Sequence, residues 1–524
     1  MFFLVKIGAS SAEHGDSWLD TNDDGAGDDD AYAAYDMYGS ERVSAGVSGW
    51  THEQRRSIAT CWPLLLSLLL AVSLALLGMP GVAAHSGSHK HHLHTTSGAK
   101  HTKAGTQAKA AGQQTLNVSS VIQATLNDIA TNGYDPIKNG LWVNWSTGTQ
   151  PLEVDFVAGK PTCLISQGHI KCAFSPAHDV LTDLRYLHNL WTYKVNHPGD
   201  HTYDVQVQLY TPIVLNEFAD FANLSTSGWL FDEWLNLAQL SGDNRYLNLA
   251  HDEANFWYTH YYHANLGAVY FTNSGSNGVY RVDYTIEIAA ALFEAGYVFQ
   301  QPQWTQAGKQ AIQFIYLHAY NAQYHLFPLA MANVVKGNGS ANDCETFETS
   351  QSVQGNGVSA SANLHIALAF LRTYLTTNNG MFLAHAIDLL QSFSVSNNVA
   401  GFWDTTYGGY FARGQFSGSG YCSFGRFSIT NTEKEGGRML ATLETYHVAD
   451  WIMGNPYSTT ENALINVAIN KAYLPAGQGY MFVQAQNWSL LGIEDCGGVN
   501  TCVTTEAMGI ALEALESLQA AHPW

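Results

Sequence analysis

Basic residues are scarce in this chain: 23 Lys and Arg stand against 44 Asp and Glu over 524 residues, a formal net charge of -21. A surface so poor in cations repels phosphate backbones, which argues against nucleic acid as a partner and favours neutral polar ligands. Cysteine pairs at CxxC spacing are missing, which argues against a zinc ribbon or a thioredoxin-type site. The GxSxG elbow, the phosphate loop, the dinucleotide fingerprint and HExxH are missing too, which argues against α/β-hydrolase, nucleotide-hydrolysing, Rossmann and zinc-protease functions. No cofactor and no metal is implied. His260 and His263 are spaced to share a helix face, but Tyr261 and Tyr262 between them read as an interfacial helix.

Only one apolar run approaches the length of a membrane span, Cys61 to Leu77. Arg55 and Arg56 precede it, Pro80-Gly81 breaks it, and Val82-Ala83-Ala84 follows as a small-residue cleavage site. Residues 55–84 therefore read as a signal peptide or signal anchor, so the rest of the chain is expected to be secreted or held at the outer face of a membrane by residues 61–78. Before it, residues 1–54 form an acidic extension whose Asp20 to Asp36 stretch has the composition of a solvated tail. After it, residues 85–116 read as a flexible His- and Lys-rich tether. Setting Cys61 aside leaves six cysteines, an even number that fits an oxidising compartment. Short loops favour Cys163 with Cys172 and Cys496 with Cys502, leaving Cys344 with Cys422, one of about 15 possible pairings.

Residues 117–524 carry most of the aromatic residues and the helical periodicity. Apolar residues recur every three or four positions near 118–132, 176–197, 203–221, 228–241, 244–262 and 281–300. The pattern resumes near 303–321, 358–378, 380–394, 432–453, 458–474 and 504–520. Twelve helices in six hairpins are predicted, an all-α domain with small irregular or β insertions such as 134–174. Gly/Tyr-rich turns at Gly267-Ala268-Val269-Tyr270, Gly401 to Phe411 and Gly477-Gln478-Gly479-Tyr480 punctuate the hairpins. Ser175-Pro176 predicts a helix start, and Thr432 with Glu435 has capping-box spacing.

The run Gly401-Phe402-Trp403-Asp404-Thr405-Thr406-Tyr407-Gly408-Gly409-Tyr410-Phe411, with Lys434 and Arg438 opening a later helix, resembles the six-hairpin glycosidase superfamily. It is similar in style to N-acylglucosamine 2-epimerase-like and family-76-type glycosidase barrels. The resemblance implies an (α/α)6 toroid whose inner helices turn their N-terminal ends toward a sugar-binding funnel. Ser359 to His365 lacks the Pro-Gly-His-x-x-Glu pattern associated with the epimerases, and the Asp-Asp pair associated with family 76 is absent from 117–524.

If the even-numbered helices form the inner ring, their starts gather His178, Asp179, Asp232, Glu233, Arg281, Asp283, Lys434, Glu435, Arg438 and Glu506 at one end. Glycosidic cleavage needs a proton donor and a second carboxylate, and clustered acids can have their pKa values driven apart. Asp283, Glu435 and Glu506 are the catalytic candidates; Arg281, Trp229, Asp232, Trp403, Tyr410, Lys434 and Arg438 are the substrate-binding candidates. Trp403 and Tyr410 are favoured as stacking platforms because Gly-rich loops rarely bury side chains. Each acid also has a plain role in complementing a helix dipole. Adjacent glycines, Gly436 and Gly437, imply a close approach of a helix or a ligand to the backbone. Three readings follow: a glycoside hydrolase on oligo- or polysaccharide, a sugar epimerase using a histidine such as His365 or His447, or a carbohydrate-binding barrel. A monomer is expected.

Overall fold

Asn117 opens the first helix with a reciprocal capping box, its side chain accepting from Ser120 N while the Ser120 hydroxyl accepts from Asn117 N. From there the computed structural model describes residues 117–135, 140–141, 144–146, 162–166, 169–173, 180–218, 228–269, 280–331, 357–417, 426–474, 479–480, 484–489 and 502–520. Among them are twelve α-helices. They are α1 (Val118–Asp128), α2 (Val180–Asn196), α3 (Asp204–Glu217), α4 (Trp229–Ser241), α5 (Arg245–Phe256) and α6 (Val282–Val298), then α7 (Pro302–Ala319), α8 (Ala360–Thr377), α9 (Gly380–Phe393), α10 (Ala441–Met453), α11 (Ser458–Val467) and α12 (Thr505–Ser517).

The even-numbered helices touch one another in succession, α2 to α4, α4 to α6, and so on to α12, which returns to α2. The inner ring is therefore closed, and the odd-numbered helices back it from outside. Burial follows that placement. On α6 every residue from Thr285 to Gly296 is buried, as a helix packed on several sides requires, whereas α5 exposes one face. Glycine sets how closely the layers approach. A Cβ on Gly308 of α7 would lie 2.4 Å from the Ala289 carbonyl oxygen of α6.

The two ends of the ring differ. Connections leaving the inner helices are short, three residues between α4 and α5 or α6 and α7, and two between α8 and α9. Asn378 and Gly454 end their helices in the left-handed conformation, which lets so short a turn reverse the chain. Connections entering the inner helices are long and hold every described strand. Three outer helices, α1, α5 and α11, end in a π turn that runs into a two-stranded hairpin. These are β1 (Tyr134–Asp135) with β2 (Gly140–Leu141), β6 (Tyr262–His263) with β7 (Ala268–Val269), and β13 (Tyr473–Leu474) with β14 (Gly479–Tyr480). The second and third of these hairpins contain the turns read in the sequence at Gly267 and Gly479.

The rest of the long-loop end carries small antiparallel sheets: β10 (Gly357–Ser359), β11 (Arg413–Phe416) and β12 (Phe427–Asn431) form one, and β8 (Tyr280–Arg281) pairs with β9 (Ala330–Met331). A four-stranded sheet orders β15 (Cys502–Thr504), β3 (Asn144–Ser146), β5 (His169–Ala173) and β4 (Thr162–Ser166), joining the first long connection to the last. Among the described residues no helix is long and apolar enough to cross a membrane; the apolar run 61–77 lies outside them. Ser175-Pro176, His178 and Asp179 also lie outside them, as do Cys344, Cys422 and Cys496.

Candidate active site at the mouth of the ring

The long-loop end is where the inner helices begin, so their first turns form a mouth. Asp283 lies in the first turn of α6 and is buried, and Glu506 lies in the first turn of α12, half-buried. Glu435 comes to the mouth by a route the sequence did not suggest. Its expected capping box with Thr432 does not form, because β12 extends to Asn431 and Asn431 turns the chain by accepting from Glu433 N. The helix then begins as a 3-10 turn, Gly436–Leu440, with Glu435 offering its carbonyl to Met439 N. The Glu435 side chain is left for another partner, Ser359 Oγ at 3.4 Å. Ser359 is the N-cap of α8, receiving Ala362 N, and lies 2.9 Å from Ser361 Oγ. Gly437 decides the packing question: a Cβ there would meet the Ala507 carbonyl oxygen of α12 at 2.5 Å, so α12 makes the close approach.

Several residues expected to meet sugar are occupied otherwise. Trp403 and Tyr410 face each other in an isolated antiparallel bridge, and both are buried; the Tyr410 hydroxyl donates to the Phe393 carbonyl. The expectation that the glycine-rich turn exposes them is corrected, because Gly408 and Gly409, at φ +73° and +76°, fold that turn beneath Trp488. Lys434 is fully buried, its Nζ 2.9 Å from Asp404 Oδ2 and 4.1 Å above the Phe411 ring, and its backbone pairs in both directions with Gln484. Asp404 also accepts from Thr406 N, Tyr407 N and Gln486 Nε2. Burial pulls the Lys434 ammonium down to about 8 against the pull of Asp404. This pair anchors the 401–411 turn to the strand end before α10. Arg281 and Arg438 lie on described backbone, with side chains outside the described set. Asp183, in the first turn of α2, holds β2 by accepting from Leu141 N.

Asp232 and Glu233 are not at the mouth. Gly228 seats against α6, where a Cβ would lie 2.1 Å from the Glu287 carbonyl carbon, so α4 starts more than a turn below the start of α6. Its acids consequently join a buried charge network along the ring axis. Arg372 of α8 reaches Glu444 of α10 at 2.7 Å and Asp232 of α4 at 3.5 Å. His188 of α2 approaches Glu233 of α4 at 2.6 Å and Glu513 of α12 at 3.8 Å, and Arg185 holds Glu513 at 3.2 Å. The Arg185 guanidinium sits 4.3 Å above Trp229, so that indole face is covered by a cation. Glu294 of α6 accepts from Thr376. All six inner helices contribute.

The network is charged but unevenly so. Burial opposes the His188 cation, yet Glu233 and Glu513 outweigh it and raise its pKa to about 10. Burial raises Asp232 to about 6, with Arg372 opposing, and raises Glu294 to about 8, with Asp232 adding to the effect. For Glu233 burial works upward, but His188 and the two arginines prevail and hold it below its ordinary value. Glu516, with both carboxylate oxygens buried and unpartnered, is pushed well up. A chemical division follows: the mouth holds carboxylates on the first turns of separate helices, while the axis holds carboxylates matched to cations or kept neutral.

No protein-family profile matches the chain, and no curated protein is similar to it. Solved structures do match. The chain is similar to an unsaturated glucuronyl hydrolase specific for heparin (13% identity, TM-score 0.51, 76% of this chain and 96% of that one). It is also similar to a D-mannose isomerase (12%, 0.53, 77% and 97%) and to a glycoside hydrolase family 76 mannosidase from Bacteroides thetaiotaomicron VPI-5482 (10%, 0.51, 77% and 98%). The fold is an (α/α)6 toroid, shared with these structures.

Within this six-hairpin toroid the sequence reading brought Asp283, Glu435 and Glu506 to one end, but missed Arg185, His188, Glu294, Arg372, Glu444, Glu513 and Glu516. A signal existed. Arg372 interrupts the apolar run from Ile366 to Leu375, and Glu513 and Glu516 share the face of α12 that bears Gly509 and the core residue Leu512. Charge on an apolar stripe of a helix expected to be inside calls for a partner across the ring. Of the two histidines considered for epimerisation, His447 turns outward to Glu461 of α11 at 2.7 Å, while His365 is on inner helix α8.

Proposed function

We propose that the chain acts on carbohydrate at the mouth of the toroid, as a glycoside hydrolase in which Asp283, Glu435 and Glu506 supply the acid, base or nucleophilic carboxylates. One observation carries the reading: these three acids stand at the starts of three different inner helices at the long-loop end. Helices α6 and α12 are opposite members of a ring of six. With neighbouring axes about 9 Å apart, opposed axes lie about 18 Å apart, and two inward carboxyl side chains narrow that to within about 10 Å, the range of glycosidase acid pairs. The hydrolases among the similar folds support the class, and the mannose isomerase keeps epimerisation as the second reading. Epimerisation calls for paired histidines, which the outward turn of His447 disfavours. Oligo- or polysaccharide is the proposed substrate, in keeping with the acidic chain.

Export through residues 55–84, or anchorage by 61–78, remains part of this proposal, with a monomeric barrel beyond the tether. Disulfide formation by Cys163 and Cys172 is supported by their position as Cα partners across β4 and β5. The test is a panel of polysaccharides and aryl glycosides assayed for reducing-sugar release. Release that falls at least 100-fold in Asp283→Asn or Glu506→Gln bears the assignment out. Release unchanged in both variants removes it, and sugar binding without release from any substrate leaves a binding barrel.

A further inference from the structure

Glu516 poses a physical problem that the ion pairs around it do not solve. It is 1% exposed and neither carboxylate oxygen has a hydrogen-bond partner, although it lies close enough to His188 and Glu513 to interact with both. A buried polar group left in that condition costs on the order of 1–3 kcal/mol. One turn before it on the same helix face, Glu513 brings Oε1 within 4.8 Å of both His188 Nδ1 and a Glu233 oxygen, and all three ligand atoms are mutually within that distance. The contact between His188 Nδ1 and Glu233 Oε2 is 2.6 Å long, an ion pair already brought to near-minimal distance.

We propose that His188, Glu233 and Glu513 form a binding site for a divalent transition metal of the zinc type, clamping the first inner helix, α2, and α4 to the last, α12. One imidazole nitrogen and two carboxylates make a borderline-hard donor set that suits zinc, with the fourth position left to water. Bonds of about 2.1 Å to a tetrahedral centre set ligand atoms about 3.4 Å apart. The separations of 2.6 Å and 3.8 Å from His188 Nδ1 bracket that edge, so small side-chain rotations open the sphere. Arg185 retains its contact to Glu513. The cation would sit at the seam where the ring closes, with the unpartnered Glu516 one turn beyond Glu513 on the same helix.

The test uses the full chain, stripped with chelator and then dialysed against ZnCl2, with thermal unfolding followed by circular dichroism. Zinc is expected to raise Tm by about 5 °C, and MgCl2, whose cation demands six oxygens, to leave it unchanged. Glu513→Gln keeps an amide oxygen for Arg185, so it should fold and lose the zinc shift; His188→Gln should also lose it. Zinc held by the histidines between His85 and His101 would register as bound metal but would survive both substitutions. If His188→Gln does not fold, CoCl2 binding to the wild type and Glu513→Gln decides, through d–d bands of tetrahedral intensity present in the first and absent in the second. A zinc shift that survives in either variant, or no shift in the wild-type chain, overturns the proposal.

Discussion

Two buried ion pairs, one at the mouth and one on the axis, use the same chemistry for different ends. Lys434 meets a single carboxylate, Asp404, which keeps three further donors from Thr406, Tyr407 and Gln486; the pair fastens one loop. Arg372 bridges Asp232 and Glu444 from three different helices, with Glu294 coupled through Asp232, and no backbone donor is at hand to replace it. A helix interior has its backbone groups already paired, so charges there can be compensated only by other side chains across the ring. The mouth is built from loops, whose backbone N–H groups can stabilise an acid locally, as those of Thr406 and Tyr407 do for Asp404.

The comparison predicts a ranking of damage. Arg372→Met should be the most harmful change, costing about 3–5 kcal/mol by stranding two buried carboxylates, read as a lowered urea midpoint at unchanged m. Lys434→Met should cost less, about 2–3 kcal/mol, because Asp404 keeps its other donors; equal costs for the two variants would erase the distinction. Stability should also fall with rising pH. In metal-free buffer the folded state holds the His188 proton between its unfolded value of 6.5 and about 10, and the Glu294 proton between 4.5 and about 8. Both raised values mean the native state binds more protons than the unfolded chain, so stability present at pH 6.5 is lost as pH climbs. From pH 6.5 to 8 the loss should be about 3 kcal/mol, measured by urea titration, and about half that in Glu294→Gln, which keeps only the His188 contribution. A smaller effect is expected from Ser359→Ala, about 1 kcal/mol for the lost cap of α8.

Most of the fold was legible because helix period and glycine breaks are local. The predicted stretches 118–132, 244–262 and 458–474 include the π turns that end α1, α5 and α11, since a π turn continues the same apolar face. The mouth was legible in part. Asp283 and Glu506 follow from helix starts, but Glu435 was misread as a cap because its real partner, Ser359, is 76 residues away. Burial of Trp403 and Tyr410 was not legible, since it depends on Trp488 and Met439 arriving from other segments. The axial network was hidden for the same reason. Its members are one or two ionisable groups on each of six helices, and only closure of the ring makes them neighbours.

The most direct measurement compares kcat/KM on one carbohydrate substrate for Asp283→Asn, Glu435→Gln, Glu506→Gln and Glu294→Gln, each checked for a native thermal transition. The account predicts losses of at least 100-fold in two or more of the three mouth variants and less than 3-fold change in Glu294→Gln, whose carboxyl is already neutral at pH 7. Mouth variants that keep full activity, together with collapse of activity in folded Glu294→Gln, would contradict it and move the chemistry to the axis.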